Sequence, residues 1–440
     1  MNRFPLLLTS MFTGLLAWNS EATAEALEEA LSSALLSHPQ AKVALNRLKA
    51  EQETIGAAAA DFWPTLDIAA GIGGQNKDVP DGSNDQIDEK SFTRQEASFS
   101  IKQNLFAGFN TWNSVKGAEK GTEAEQWRLY STLEDLALQV INVYLKVLER
   151  RDLVELAEEN LEIHDEIYDQ IERRARQGVA RSSDLIQVEG RRARANANLI
   201  NARNNLMDAE SEYRALVGHS PDDLEFPGFE HLALPEDLNN AIKKGWQDHP
   251  NIKAAELDVE SSEYAYSSRK SSYLPSLDAE LDQSWKRNAD GQLGDYRDTV
   301  AMVRLRYNLF RGGGDKARLM ESAYQAEESR SQKARVMRDI EERMRIAWAA
   351  LQFTGEQREY LLLHEDASRD TVAAYGEQFN IGKRTLLDLL DSENELFQSS
   401  NSLTSAVYQE TYARYRVLAA VGKLLENMEF TLPDNWQRDD

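Results

Sequence analysis

Between residues 133 and 175 apolar side chains return at steps of three and four: Leu133, Leu136, Val140, Val143, Val147, Val154, Ala157, Leu161, His164, Tyr168, Ile171 and Ala175, with Arg150 the interruption. No proline occurs from Phe109 to Gln177. The pattern predicts one unbroken helix over 109–177, about 100 Å long at 1.5 Å per residue. Its seam suits shallow side-by-side packing of the coiled-coil kind. After a break at Gln177-Gly178-Val179-Ala180, Ser182 or Ser183 can cap a second helix over 183–217. That helix carries its own seam, Leu185, Val188, Ala195, Leu199, Ala202, Leu206, Ala209, Tyr213 and Leu216. Upstream, Ala26 to Asp61 reads as helix ending before Trp63-Pro64, where proline blocks continuation.

A period of two replaces the helical one in four places. Leu66, Ile68, Ala70 and Ile72 alternate with Thr65, Asp67, Ala69 and Gly71, which predicts a strand over 65–73. A second strand is predicted over 97–106. Gly74 to Glu96, with Asp78, Asp81, Asp85, Asp88 and Glu89, reads as an exposed loop. Strands over 276–285 and 299–310 alternate in the same way, and each of the four is of the length that crosses a membrane at a tilt. Phe62, Trp63, Phe106, Phe109, Trp112, Tyr273 and Phe310 gather near the strand ends, as an interfacial girdle would. Gln103 and Gln283 fall on the apolar face and run against this reading. A soluble sheet with one face on a core is the alternative.

The chain then repeats itself. His38-Pro39 returns as His249-Pro250 and Pro64 as Pro275, both 211 positions on. Asn104-Leu105-Phe106, Gly178, Asp184-Leu185 and Val217-Gly218 return 204 positions on, as Asn308-Leu309-Phe310, Gly382, Asp388-Leu389 and Val421-Gly422. The slip falls inside the polar loop, so the pattern implies duplication of one structural unit. A first repeat is expected over 25–235 and a second over 236–425. The second holds a helix over 238–272, a long helix over 313–380 and a further helix over 385–425. A tail, 426–440, follows. Two half-length helices stacked end to end match one long helix, which places both strand pairs at one end of a helical column and both glycine turns at the other.

Composition sharpens the class. Arg3, the apolar stretch from Phe4 to Ala17 and the Ala22/Ala24 arrangement read as a secretory signal over 1–24, with a terminal membrane anchor as the alternative. The chain of 440 residues has no cysteine and a net charge of -24. Such acidity opposes a nucleic-acid partner, and solubility alone also accounts for it. No later segment is apolar enough to span a bilayer as a helix, so any membrane part consists of strands. Four strands cannot close in lipid without leaving edge groups unsatisfied. The chain is therefore expected to oligomerise, two copies giving eight strands and three giving twelve.

The duplicated helix-strand-strand-helix plan and the turn segments over 177–184 and 379–391 resemble the TolC family of outer-membrane channel-tunnels. The resemblance implies a fold that is mainly α with a membrane β-barrel part: a homotrimer with one twelve-stranded barrel in outer-membrane lipid and a twelve-helix tunnel in the periplasm. It also implies docking with a periplasmic adaptor and an ABC-type inner-membrane transporter. By overall resemblance to the secretion branch, the expected export function is type I protein secretion, with drug or metal efflux as the alternative. A structural periplasmic coiled coil is the rival outside the channel class. By resemblance, Gln177, Gly178 and Val179 with Ile381, Gly382 and Lys383 form the adaptor-docking tips.

Asp388 and Asp391 stand three apart at the start of a helix, so both can project from one face. In a trimer they would form stacked carboxylate rings whose mutual repulsion raises some pKa values, and the family's matching aspartates form a selective constriction. Arg384 matches an arginine that latches the closed entrance onto the other turn, here Asp184 with Ser183 beside it. Phe379 stands where some members carry a latch tyrosine. No enzymatic role is expected. The six histidines, His38, His164, His219, His231, His249 and His364, lack metal-ligand spacing, and no thiol chemistry is open to the chain. Gly71-Ile72-Gly73-Gly74 and Gly312-Gly313-Gly314-Asp315-Lys316 complete no nucleotide motif, and no cofactor is expected.

Overall fold

A computed structural model describes residues 25–77, 90–228, 232–290, 293–433 and 436. The signal expected over 1–24, the loop acids from Asp78 to Glu89 and His231 lie outside the described residues. Both halves run through the same order of elements. The first comprises α1 (Leu27–Ser37), α2 (Pro39–Ala59), β1 (Thr65–Lys77), β2 (Lys90–Phe106), α3 (Asn110–Arg176) and α4 (Ser182–Val217). The second comprises α5 (Leu238–Asp248), α6 (Pro250–Arg269), β3 (Ser276–Arg287), β4 (Asp295–Arg306), α7 (Gly314–Asn380) and α8 (Leu386–Val421), followed by a short α9 (Leu424–Asn427). The long helices α3 and α7 are each 67 residues and α4 and α8 each 36.

Several boundaries differ from the sequence reading. The helices expected over 26–61 and 238–272 are each broken, at His38 and His249. There a following proline forces extended backbone, ψ 136° and 126°, and the imidazole Nδ1 accepts the N–H of Gln40 or Asn251 to restart the helix. The helix expected to reach residue 425 stops at Val421, because Gly422 turns left-handed at φ 78°. Within the loop expected over 74–96, residues 74–77 and 90–96 are strand, since the β1–β2 ladder continues from Gly71↔Glu96 to Lys77↔Lys90. Backbone pairing needs no apolar alternation once strands are registered. β4 ends at Arg306 rather than 310, because its partner Ser276 follows Pro275, which has no N–H to extend the ladder.

The sheet is antiparallel in the order β1-β2-β3-β4, so β1 and β4 are open edges within the chain. Register aligns Leu66, Ile101, Leu281 and Ala301 across all four strands, giving one apolar face. Among the described residues much of that face stands open: Ile68 is 81% exposed, Ile72 75% and Val303 64%. On the polar face Asp278 is 4% exposed, in reach of Lys102 at 3.6 Å and accepting from Asn104 at 2.9 Å, while Glu280 pairs with Arg304. An apolar face this exposed opposes the soluble-sheet alternative, which requires that face to lie on a core. The two glutamines on the apolar face are satisfied locally. Gln103 donates to the Phe62 and Asn104 carbonyls, and Gln283 accepts from the Thr299 hydroxyl. Trp63, Trp112 and Phe310 stand exposed around the strand ends.

The helices form an array in the order α7-α8-α3-α4, with α1, α2, α5 and α6 stacked alongside. Its main core surrounds the middle of α3, where Leu129, Leu133, Leu136, Val140, Ile141 and Tyr144 are fully buried against α1, α4, α8 and the C-terminal segment. The expected tail is tied down there by Met428, Leu432 and Trp436, beside Leu424 and Leu425. Beneath it the buried Glu134 accepts the backbone N–H groups of Leu424 and Leu425 at 3.0 and 3.1 Å.

Burial pushes the Glu134 carboxyl up to about 7 from its ordinary 4.5, against the lowering effect of those two N–H groups; Asp135 adds to the rise and Lys423 opposes it. A raised folded-state pKa means a contribution to stability that is complete below about 4.5 and lost as pH rises through about 7. Glu134→Gln keeps an acceptor and removes the titration. Thermal melting of the detergent-solubilised protein is expected to vary with pH in wild type by up to about 3 kcal/mol over this window, and to flatten in the variant. Equal pH profiles would show that Glu134 is not the group responsible.

Candidate functional site at the glycine turns

The turns joining α3 to α4 and α7 to α8 are built alike. Gly178 and Gly382 adopt φ 75° and 76°. The N–H of Gly178 donates to Ala175 and that of Val179 to Arg174; Gly382 and Lys383 donate in the same way to Phe379 and Gln378. Both are Schellman closures, which satisfy the last carbonyls of a helix and need a residue without Cβ strain. Gln177, Gly178, Val179, Ile381, Gly382 and Lys383 are all exposed around these turns.

An apolar knot holds the two turns together. Ile167 and Ile171 of α3, Val188 of α4, Phe379 of α7 and Leu386, Leu389 and Leu390 of α8 form one buried cluster. Phe379 is therefore a packing residue, with the Arg174 guanidinium over its ring at 5.1 Å.

The charged residues are placed differently from expectation. Asp388 closes a capping box: its carboxylate accepts the Thr385 hydroxyl and N–H at 2.8 and 3.1 Å, and its own N–H donates to the Thr385 hydroxyl. Those bonds hold the Asp388 carboxyl below its ordinary value, so within one chain its shift is opposite to the expected rise. Asp184 plays the same part in its own helix, accepting from the Arg181 N–H and lying 3.4 Å from the Ser183 hydroxyl. Arg384 lies over the Tyr375 ring at 4.1 Å and donates to Gln378 at 3.0 Å, folding back on the end of α7. Within one chain it therefore does not meet Asp184.

Asp391 instead pairs with Arg191 of α4. Reading the sequence for function missed Arg191. The available signal was indirect: Gln187 is the repeat equivalent of Asp391, and Arg191 follows it one helical turn later. Among the described residues no cluster of His, Asp or Glu is arranged to hold a metal ion.

A family model described as outer membrane efflux protein matches residues 30–219 and 241–423. The chain belongs to the outer membrane efflux protein family. Among its relatives, the outer membrane efflux protein BepC of Brucella suis is 26% identical over 91% of this chain and 86% of its own length. The alkaline protease secretion protein AprF of Pseudomonas aeruginosa is 23% identical over 94% and 89%. The fold is similar to the crystal structure of the Campylobacter jejuni CmeC outer membrane channel, with TM-score 0.80 and 13% identity over 96% of this chain and 94% of that one. As an outer membrane efflux protein of TolC type, the chain resides in the outer membrane and extends into the periplasm. The sheet with its exposed apolar face is thereby the membrane part, and the long helices are the extension.

Proposed function

We propose that three copies of this outer membrane efflux protein close into one twelve-stranded barrel on a twelve-helix tunnel. This duct docks through Gln177–Val179 and Ile381–Lys383 with a periplasmic adaptor and an ABC-type inner-membrane transporter, and exports protein by the type I route. The observation that carries the duct is the single sheet with an apolar outward face, a charged inner face and two open edges, which lipid tolerates only when edges meet edges. The similarity to a protein named for alkaline protease secretion favours a polypeptide cargo. Small-molecule efflux is the alternative, supported by the similarity to BepC.

In this reading Asp388 and Asp391 stand at the constriction, with Arg191 offsetting part of the charge of Asp391. The experiment is single-channel recording of the purified oligomer in planar bilayers. Cross-linked mass should correspond to three chains, and a non-conducting protein overturns the duct. Arg191→Ala is expected to raise cation selectivity, and Asp388→Asn with Asp391→Asn to lower it. Each change should be about two- to fivefold, the range set by about 0.5–1 kcal/mol for a partly exposed pair. Unchanged selectivity in both variants would remove these residues from the constriction.

A further inference from the structure

Above the Arg191–Asp391 pair, two rows of polar side chains run side by side. Both α4 and α8 start at the glycine turns and run the same way, so Arg194, Asn198, Asn201 and Asn205 face Asn394, Gln398, Asn401 and Ser405 across a cleft of about 340 Å³. Its floor is Leu153, Ala157 and Phe397, and Arg150 closes one side. Ser405 donates to Glu149 and Arg150 lies 3.9 Å from the same carboxylate. The side-chain amides of Asn198, Asn201, Asn205, Asn394, Gln398 and Asn401 make no hydrogen bond within the chain among the described residues, although four of the six are half-buried. The Arg194 guanidinium likewise has no carboxylate partner there.

Six unengaged amides converging on one cleft offer paired donors and acceptors at regular intervals. The rows extend eleven residues along the helices, about 16 Å, the length of about five residues of extended chain. A peptide backbone presents one donor and one acceptor per residue, which is the complement of such rows. Drug-like molecules favour pockets that are mostly apolar with few polar groups, and this cleft is the reverse. The two arginines, against the single acid Glu149, add a preference for carboxylates.

Helices α4 and α8 both pack on α3 and reach one another across it through Arg191 and Asp391, so closing the array into a ring turns this cleft inward. We infer that the α4–α8 cleft is a transit subsite for extended, acidic polypeptide, held by its backbone on the amide rows and by its carboxylates on Arg194 and Arg150. The inference rests on the duct reading above, and names the substrate class of that duct.

Current block in planar bilayers tests it. The probe is an unstructured peptide of glycine, serine and aspartate, compared with the same peptide carrying lysine for aspartate. Wild type is expected to show resolved blocks that last longer with the acidic peptide. Asn198→Leu with Asn401→Leu should shorten them about tenfold, the loss expected for one or two net hydrogen bonds. Asn198→Gln with Asn401→Gln, which keeps both amides, should retain most of the dwell time. If the leucine pair does not assemble, Asn198→Ala with Asn401→Ala carries the comparison without added bulk. Dwell times that are equal in the amide-free variants and wild type overturn the subsite. A conducting wild-type channel that neither peptide blocks overturns it too, and leaves the duct standing. An oligomer that does not conduct removes both.

Discussion

Arginine placed at Leu281 and Val303 together is expected to leave the chain without a heat-resistant, membrane-integrated oligomer. Both residues lie on the apolar face, where Leu281 stands opposite Ala301 and Val303 opposite Ala279. Both are exposed large hydrophobic residues, Leu281 at 39% and Val303 at 64%. In a barrel that face meets hydrocarbon, and an arginine near the bilayer midplane costs about 2–4 kcal/mol. Two of them cost about 4–8 kcal/mol, which approaches the whole stability of an ordinary domain. Asp282→Asn sits between them in sequence but on the opposite face, and is expected to be tolerated. Membrane fractionation followed by unheated electrophoresis reads the outcome. Normal insertion of the double arginine variant would count against the barrel, whatever the behaviour of the Asp282 control.

Gly422→Ala is the second large effect, and its cause lies in two places at once. The glycine ends α8 at φ 78°, with its N–H on Ala419 and the next N–H on Leu418. Any Cβ there carries left-handed strain of about 1–2 kcal/mol. It would also stand 2.5 Å from Pro250 Cδ and 3.0 Å from His249 Cα, the break between α5 and α6. Relieving that overlap means moving one backbone from another, for about 1–3 kcal/mol more. The repeat supplies a control: Gly218 has φ 102°, but a Cβ there would have Ser37 Oγ at 3.9 Å as its nearest neighbour. Gly218→Ala should therefore lose the strain alone. Melting of the two variants in detergent should differ by about 1–3 kcal/mol, and equal losses would show that the contact with Pro250 relaxes freely.

Much of the fold follows from pattern alone. Helix period fixes α3 and α4 and their repeats, because burial along a seam needs nothing beyond the helix itself. The two glycine turns are legible for the same reason, since a Schellman closure is local. Alternation locates the four strands, and their apolar face with the family resemblance points to lipid. The breaks at His38 and His249 were written in the recurring His-Pro pair, whose proline removes one N–H and constrains its neighbour. Strand extent was not legible beyond the apolar alternation, because residues 74–77 and 90–96 are paired by backbone and are polar or glycine apart from Phe92.

The site divides along the same line. Sequence by itself determined which residues stand at the turns, that Asp388 and Asp391 share a helix face, and that Asp184 is the repeat counterpart of Asp388. Only the tertiary structure decided their partners. Asp388 belongs to Thr385, Arg384 to Tyr375 and Gln378, and Asp391 to Arg191, 200 positions away on another helix. Phe379 became a core residue because four helices converge on it. The amide rows of α4 and α8 are unremarkable in either helix alone and become a cleft through the packing of both against α3. Periodicity records what each element does to itself; which charged and polar groups meet depends on the angle and register at which separate elements pack, and no local pattern carries that.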